Sequence, residues 1–194
     1  MSVQVQQPQI YTPTEYLALE EYAEYKSEYH NGEIIAMTGS TFNHNRIAVN
    51  VSAALNFYFK NQENYDVALG DIKVWIPHTQ RFLYPDVMVI AGQPNYYENR
   101  KEAIVNPQTI IEVLSKSTQN YDRSDKFRYY RTLPSFKEYI LINQYEFWVE
   151  QYTKIADYEW RLSYQENSED VLEFTSFPFK MSLLDIYNKV IFDK

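Results

Sequence analysis

Two short apolar stretches, each carrying one acid, decide the fold of this chain. Residues 82–90 read Phe-Leu-Tyr-Pro-Asp-Val-Met-Val-Ile, and residues 109–115 read Thr-Ile-Ile-Glu-Val-Leu-Ser. Their β-branched and aromatic side chains predict two buried strands that carry Asp86 and Glu112. A buried carboxylate is costly unless it is paired or binds a metal ion. Because two carboxylates on neighbouring strands repel each other, the pattern predicts a divalent cation between them, either Mg²⁺ or Mn²⁺.

The composition is that of a globular protein without disulfide chemistry. The chain has 194 residues, of which 45% are hydrophobic, and it contains no cysteine. Disulfides, thiolate metal sites and cysteine nucleophiles are therefore excluded, and we expect a cytoplasmic location. No apolar run approaches the roughly 18 residues that a membrane helix needs, so no membrane partner is expected. We predict a disordered, glutamine-rich arm at 1–10 and a single domain at 11–194.

The charge distribution bears on nucleic-acid binding. The net charge of −8 argues against nonspecific binding of nucleic acid, which usually requires a basic surface. However, the segment 116–131 carries five basic residues against two acids. A local contact with an anion therefore remains compatible with the acidic chain.

Capping and turn signals divide the chain into alternating helices and strands. Thr12, Pro13 and Glu15 predict the start of a helix that runs to about Lys26. The pair Asn31-Gly32 predicts a tight hairpin. Further helices are predicted at 42–60, at 121–133 and from 182, further strands at 33–37, 65–69, 72–76, 138–143, 147–153, 160–164 and 171–174, and a polar loop at 91–107. This order predicts an α/β (α+β) fold in which a mixed β-sheet is flanked by α-helices.

A lysine near the two acids would complete a site for phosphodiester hydrolysis. Such chemistry needs acids that hold a divalent cation and a further positive charge for the transition state. The carbonyl of Val113 offers a third oxygen to the metal. Leu114 stands where the simplest Glu-x-Lys arrangement has its lysine. We therefore predict that Lys126 supplies the charge from the following helix, with Lys116 as the rival.

Four motifs follow one another in a fixed order along the chain. They are Tyr-Pro-Asp-Val at 84–87, Ile-Glu-Val-Leu-Ser-Lys-Ser-Thr at 111–118, Tyr-Asp-Arg-Ser-Asp-Lys at 121–126, and Glu-Tyr-Ile-Leu-Ile at 138–142. Together they resemble the putative restriction endonuclease family of the PD-(D/E)xK nuclease superfamily, from Thr12 to about Tyr152. The resemblance implies a restriction endonuclease-like core, a divalent cation, and a lysine moved from the strand onto the helix, which matches Lys126.

Two further positions match the resemblance. Glu33 corresponds to the family's acid after the Asn-Gly hairpin, and His44 to a histidine at the start of the second helix. The chain departs from the family pattern at Asn45, where the family usually has glycine, and at Lys116, where it often has proline. The acid pair itself is intact.

These features predict a Mg²⁺-dependent endonuclease that hydrolyses phosphodiester bonds of DNA. Asp86, Glu112 and the Val113 carbonyl would hold the metal, Lys126 would act at the phosphate, and the two further positions would assist. A homodimer is expected, because cutting both strands of a duplex favours two-fold symmetry.

Other readings of the same residues stay open. The first is a catalytically inactive nuclease-fold module that binds a protein or nucleic-acid partner. In a purely structural version, Glu112 forms an internal salt bridge with Lys126 or Arg128. A sugar or nucleotide hydrolase is disfavoured because the acids lie in a metal-type strand motif. Three scattered histidines and no Gly-x-Ser-x-Gly elbow argue against a zinc site and a serine nucleophile.

Overall fold

The computed structural model describes residues 9–192. The strands are β1 (Ser27–His30), β2 (Glu33–Ala36), β3 (Tyr65–Leu69), β4 (Lys73–Ile76), β5 (Arg81–Leu83), β6 (Val87–Ala91), β7 (Tyr96–Tyr97), β8 (Arg100–Ile104), β9 (Pro107–Leu114), β10 (Glu138–Asn143), β11 (Val149–Ala156), β12 (Glu159–Gln165), β13 (Val171–Glu173) and β14 (Lys180–Ser182). The helices are α1 (Pro13–Glu20), α2 (Phe42–Phe59), α3 (Gln119–Tyr121), α4 (Phe127–Tyr130) and α5 (Leu183–Ile186). A 3-10 turn occupies Pro77–Thr79, and a π-helical turn at Asp122–Lys126 joins α3 to α4.

Twelve of the strands form two six-stranded sheets. The order in the first sheet is β2-β1-β5-β4-β8-β7, and the order in the second sheet is β12-β11-β10-β9-β6-β3. Both sheets are mixed, because β4 pairs with β8 and β9 pairs with β10 in parallel, whereas the other pairs are antiparallel. The predicted α/β (α+β) class, with mixed sheet flanked by helices, is confirmed, but the strands divide between two large sheets.

The chain passes from the first sheet to the second at residues 84–86. The prediction of one continuous strand over 82–90 is therefore wrong, since β5 ends at Leu83 and β6 begins at Val87. Pro85 explains the break, because proline has no N–H to donate to a strand ladder. Asp86 consequently lies at the entrance of a strand.

Hydrophobic clusters hold these layers together. Ile47, Val51 and Leu55 of α2 are fully buried against one face of the second sheet, and Tyr58 is partly buried there. The opposite face of that sheet packs against the first sheet and the helical segment 119–130. Helix α1 covers the far face of the first sheet. Alternate residues of β9 therefore face α2 or the middle layer, and Glu112 shares the face of Ile110 and Leu114 in the middle layer.

Two predicted segments differ from the structure. The polar loop predicted at 91–107 contains the β7–β8 hairpin, whose turn residues Glu98 and Asn99 both have positive φ. This turn has no Asn-Gly signal, so sequence alone did not reveal it. Helix α1 keeps its predicted capping box but ends at Glu20 instead of near Lys26, because residues 21–26 are all exposed and bury no apolar face.

The first described residues lie outside the helices and strands. Residues 1–8 of the predicted arm lie outside the described residues, and Gln9 and Ile10 are exposed and belong to no helix or strand. Within residues 9–192, no helix is long and apolar enough to cross a membrane.

Candidate active site

Hydrogen bonds from backbone N–H groups hold the carboxylates of Asp86 and Glu112 side by side. The ladder between β6 and β9 has its last pair at Val87 and Ile111. Beyond that pair, Oδ2 of Asp86 accepts a hydrogen bond of 2.7 Å from the N–H of Val113, and Oε2 of Glu112 accepts one of 3.3 Å from the N–H of Asp86. The two carboxylates are thereby fixed next to each other at one end of the ladder.

The two acids differ in their access to solvent. The side chain of Asp86 is 24% exposed, whereas Glu112 is 2% exposed in the middle of an entirely buried strand. Oδ1 of Asp86 accepts no hydrogen bond from any residue in 9–192, so this oxygen is available to a ligand. The site thus has a buried carboxylate behind a carboxylate that opens to water.

Lys126 lies directly against the buried acid. Its Nζ is 3.1 Å from Oε1 of Glu112 and 3.2 Å from Oδ1 of Asp122. The whole residue is 7% exposed. The hydroxyl of Tyr130 donates a second hydrogen bond to Oε1 of Glu112, at 3.2 Å. The π-helical turn that carries Asp122 and Lys126 is a form that recurs at functional sites.

The rival lysine lies elsewhere. Lys116 is exposed, and its Nζ lies 5.3 Å from the centre of the Tyr145 ring. The structure therefore brings Lys126, and not Lys116, to the acid pair.

Burial and neighbouring charges set the protonation states of this cluster. Burial raises the pKa of Glu112, Asp86 and Asp122 add to that effect, and Lys126 opposes it. Burial alone would lower the pKa of Lys126, but the charges of Glu112, Asp122 and Glu28 outweigh it and raise that pKa well above the usual range for lysine. Lys126 is therefore positively charged at neutral pH and provides the main neutralising charge for these acids.

His44 lies on the other side of Asp86. Thr41 caps α2 by accepting a hydrogen bond from the N–H of His44, which fixes this residue in the first helical turn. Its Nε2 is 3.2 Å from Oδ2 of Asp86. His44, the position that the family resemblance indicated, therefore lies in contact with Asp86.

Glu33 lies on the edge strand of the first sheet, outside the acid pair. It is exposed on the edge strand β2, and within residues 9–192 its side chain forms no ion pair or hydrogen bond. In the register of β1 and β2 it stands opposite His30, so the two side chains project from the same face of the first sheet. The structure therefore does not bring Glu33 into contact with Asp86, Glu112 or Lys126.

Sequence reasoning missed a buried acid on β1. Glu28 accepts hydrogen bonds from His30 at 2.8 Å and from the N–H of Tyr84 at 3.4 Å. Burial tends to raise the pKa of Glu28, but the charge of Lys126 and the contacts with His30 and Tyr84 outweigh it and lower the pKa. A Glu-x-His pattern places both side chains on one face of a strand, and this signal was available in the sequence.

Asp122, Tyr121 and Tyr130 were also missed as members of the cluster. The hydroxyl of Tyr121 lies 3.3 Å from Nε2 of His30, which links the helical segment to β1. Asp122 precedes Lys126 by one helical turn, and this spacing is common on solvated helices. Only the tertiary packing distinguishes it from an ordinary surface pair.

The donor set fits a hard divalent cation in part. Asp86 and Glu112 supply carboxylate oxygens, which Mg²⁺ and Mn²⁺ prefer, and the unpartnered Oδ1 of Asp86 is free to coordinate. Among residues 9–192, however, no group of three or more histidine or acidic side chains is arranged to hold a metal ion. A metal here would rely on two carboxylates, a backbone carbonyl and water, which is a usual environment for Mg²⁺.

Comparisons with known proteins identify relatives of this chain. A family model described as putative restriction endonuclease (Uma2) matches residues 13–186. An uncharacterized protein of Synechocystis sp. is 40% identical over 166 residues, which are 86% of this chain and 93% of that protein. A second uncharacterized protein of the same organism is 34% identical over 184 residues, which are 93% of each.

A solved structure confirms the fold. The crystal structure of a putative nuclease belonging to DUF820 from Anabaena variabilis matches with a TM-score of 0.76 at 20% sequence identity, and the match covers 93% of this chain and 99% of that one. The predicted restriction endonuclease-like fold is therefore confirmed. The family match spans nearly the whole of the described chain, and with it the acid pair, His44 and Lys126. This protein belongs to the putative restriction endonuclease family.

Proposed function

We propose that this protein is a Mg²⁺- or Mn²⁺-dependent endonuclease that hydrolyses phosphodiester bonds of DNA. The observation that carries the proposal is the fixed pair of Asp86 and Glu112, joined by hydrogen bonds of 2.7 and 3.3 Å through the backbone, with the Lys126 ammonium 3.1 Å from Glu112. Membership of the family supports the same activity.

Each residue of the pair has a separate role in binding the cation. Asp86 offers the unpartnered Oδ1, Glu112 offers Oε2, and the carbonyl of Val113 is the third protein oxygen. A divalent cation bound there supplies positive charge beside the scissile phosphate and lowers the pKa of water. The partial exposure of Asp86 leaves this side of the pair open to substrate.

The other residues supply positive charge and orient the carboxylate of Asp86. Lys126 keeps a permanent positive charge next to Glu112, where it stabilises the negative charge that develops on the phosphate. His44 holds Oδ2 of Asp86 in place, which leaves Oδ1 directed at the ligand. Glu33 stands opposite His30 on the edge of the first sheet, so its effect on the acid pair is indirect.

Two-fold assembly is part of the proposal. Cleavage of both strands of a duplex favours a homodimer with two sites related by symmetry. Ile155 on β11, Tyr164 on β12 and Tyr158 in the turn between them are exposed and offer apolar surface for such a contact. Light scattering of the purified protein measures the assembly, and a monomer at all concentrations would contradict it.

Metal binding is the first test, because it requires no knowledge of the DNA target. Calorimetric titration of Mg²⁺ and Mn²⁺ into the wild type is expected to show saturable binding that Asp86→Asn abolishes. Asp66→Asn is the matched control, since Asp66 is an exposed acid on β3. Binding that persists in Asp86→Asn would remove the assigned site.

Cleavage is the second test. Supercoiled plasmid and single-stranded DNA are incubated with Mn²⁺ and the wild type, Asp86→Asn, Glu112→Gln or Asp66→Asn. We expect either acid variant to lose activity by at least about 100-fold while the control does not. Metal binding without cleavage of any DNA would favour the inactive module that binds a partner.

A further inference from the structure

A separate cavity lies on the far face of the first sheet, on the side covered by α1. It has a volume of about 570 Å³ and is lined by the end of α1, by Lys73 of β4 and by residues 99–102 of the β7–β8 hairpin. None of the six candidate site residues lines it. Binding sites for small molecules commonly have volumes of roughly 300–1,000 Å³, so the cavity has room for a whole ligand.

Lys73 is the unusual residue in the wall of this cavity. It is 6% exposed, yet within residues 9–192 its Nζ forms no ion pair or hydrogen bond. Its near neighbour is the ring of Tyr84, whose centre lies 5.1 Å from Nζ. Burial lowers the pKa of Lys73, with Glu20 and Glu102 opposing that effect. The side chain of Lys73 is largely buried and its ammonium lines the cavity, so an anion bound there would stabilise that charge.

Two of the three acids that line the cavity are engaged with other groups. Oε1 of Glu20 accepts hydrogen bonds from the N–H of Ser27 and the hydroxyl of Tyr84, at 3.1 and 3.0 Å. Oε1 of Glu102 lies 3.3 Å from the guanidinium of Arg100. Neither acid is therefore a direct counterion for Lys73, and Arg100 adds a second cation to the wall.

We propose that this cavity binds a small phosphate ester that carries hydroxyl groups. The phosphate lies against Lys73 and Arg100, since both are donors suited to phosphate oxygens. The hydroxyl groups donate hydrogen bonds to the carboxylates of Glu21 and Glu102, which line the same space. An inorganic phosphate alone would leave most of the 570 Å³ without contacts.

Two sources share this chemistry, a nucleotide and a sugar phosphate. Adenosine monophosphate, ribose 5-phosphate and inorganic phosphate are titrated separately into the full chain by calorimetry. At least one ester is expected to bind saturably, and more tightly than inorganic phosphate. Binding of both esters assigns recognition to the sugar phosphate, and binding of the nucleotide alone adds a contact with the base. Equal affinity for inorganic phosphate, or no saturable binding of either ester, overturns the proposal.

The Lys73→Met variant tests whether the ester binds in this cavity. It keeps the length of the side chain and removes the charge, so Kd is expected to rise at least about tenfold, whereas Lys137→Met, an exposed lysine at the end of the turn before β10, leaves Kd unchanged. The unliganded Lys73→Met protein is expected to melt no lower than wild type, because an unpaired buried charge is gone. If that variant fails to fold, Arg100→Gln on the partly exposed hairpin replaces it, with the same expected loss of affinity. Unchanged affinity in the folded variant would show that the ester binds elsewhere.

This inference does not depend on nuclease activity. Calorimetry reads ester binding in metal-free buffer, so it is unaffected by whether Asp86 and Glu112 bind a cation. Each of the two proposals is therefore tested by its own measurement, and failure of one does not affect the other.

Discussion

Nζ of Lys126 lies 3.1 Å from Oε1 of Glu112, and both residues are more than nine-tenths buried. The sequence left two readings of these residues open, an internal salt bridge and a catalytic pair. The structure shows the salt bridge between Lys126 and Glu112, and the proposed catalytic site uses the same two side chains. The two readings therefore differ only in whether a cation and a phosphate join the pair.

Replacing Lys126 tests how much this charge stabilises the fold. In Lys126→Met, Glu112 and Asp122 remain buried without a cation. Breaking a buried pair by removing one partner typically costs about 3–5 kcal/mol, and we expect the free energy of unfolding to fall by that amount in metal-free buffer. Urea denaturation followed by circular dichroism measures the change.

The matched control for this variant lies on the same helical segment. Arg128 forms an exposed ion pair with Asp125 at 2.9 Å, and exposed pairs contribute little. Arg128→Met is therefore expected to unfold at nearly the same urea concentration as the wild type. Equal stability of both variants would mean that Lys126 does not neutralise the acids.

The parts of the site that sequence predicted are those with a local signal. Asp86 follows a proline at the end of one apolar run, Glu112 interrupts another, and His44 sits three residues after a threonine cap. The apolar runs located Asp86 and Glu112, whereas the family resemblance indicated His44. Lys126 was also placed correctly, because the helix that carries it follows β9 directly.

The missed parts depend on contacts between distant segments. Glu28 faces Lys126 only because β1 pairs with β5 in the first sheet, and the family resemblance indicated Glu33 instead. The break at Pro85 sends β5 and β6 into different sheets, a division that apolar composition does not reveal. Strand pairing over long separations is therefore the information that the sequence pattern lacked.

The pH dependence of stability tests the role of Glu28. The folded-state pKa of Glu28 is lowered below that of an exposed carboxyl, which is about 4.3. Its contribution to stability is therefore present above about pH 4.3 and is lost as the pH falls through the folded-state pKa. Glu28→Gln is expected to be less stable than wild type at neutral pH, and the difference is expected to shrink in acid.

Urea denaturation at a series of pH values measures that difference directly. Glu24→Gln is the control, because Glu24 is exposed and forms no side-chain contact within residues 9–192. It should follow the wild type at every pH. A constant difference between wild type and Glu28→Gln from neutral pH into acid would show that the carboxylate charge of Glu28 is not what stabilises the fold.

A further buried carboxylate, outside the candidate active site, holds the C-terminal segment in place. Glu138 is completely buried at the start of β10. Its Oε1 accepts hydrogen bonds from Gln151 at 2.7 Å and from the N–H of Thr175 at 2.9 Å, and its Oε2 accepts one from the N–H of Ser176 at 3.3 Å. One side chain thus ties the connection between β13 and β14 to the second sheet.

Glu138→Gln replaces one of these acceptor oxygens with an N–H₂ group that faces donors. Hydrogen bonds to a charged group contribute about 1.5–3 kcal/mol, and we expect the free energy of unfolding to fall by about that amount. Amide hydrogen exchange should accelerate at whichever of Thr175 and Ser176 faces the new N–H₂ group, because that N–H group loses its acceptor. Glu173→Gln removes only an exposed ion pair with Lys180 and should leave exchange at both amides as in the wild type. Unchanged exchange in Glu138→Gln would mean that packing of β13 and β14, and not this carboxylate, holds the segment in place.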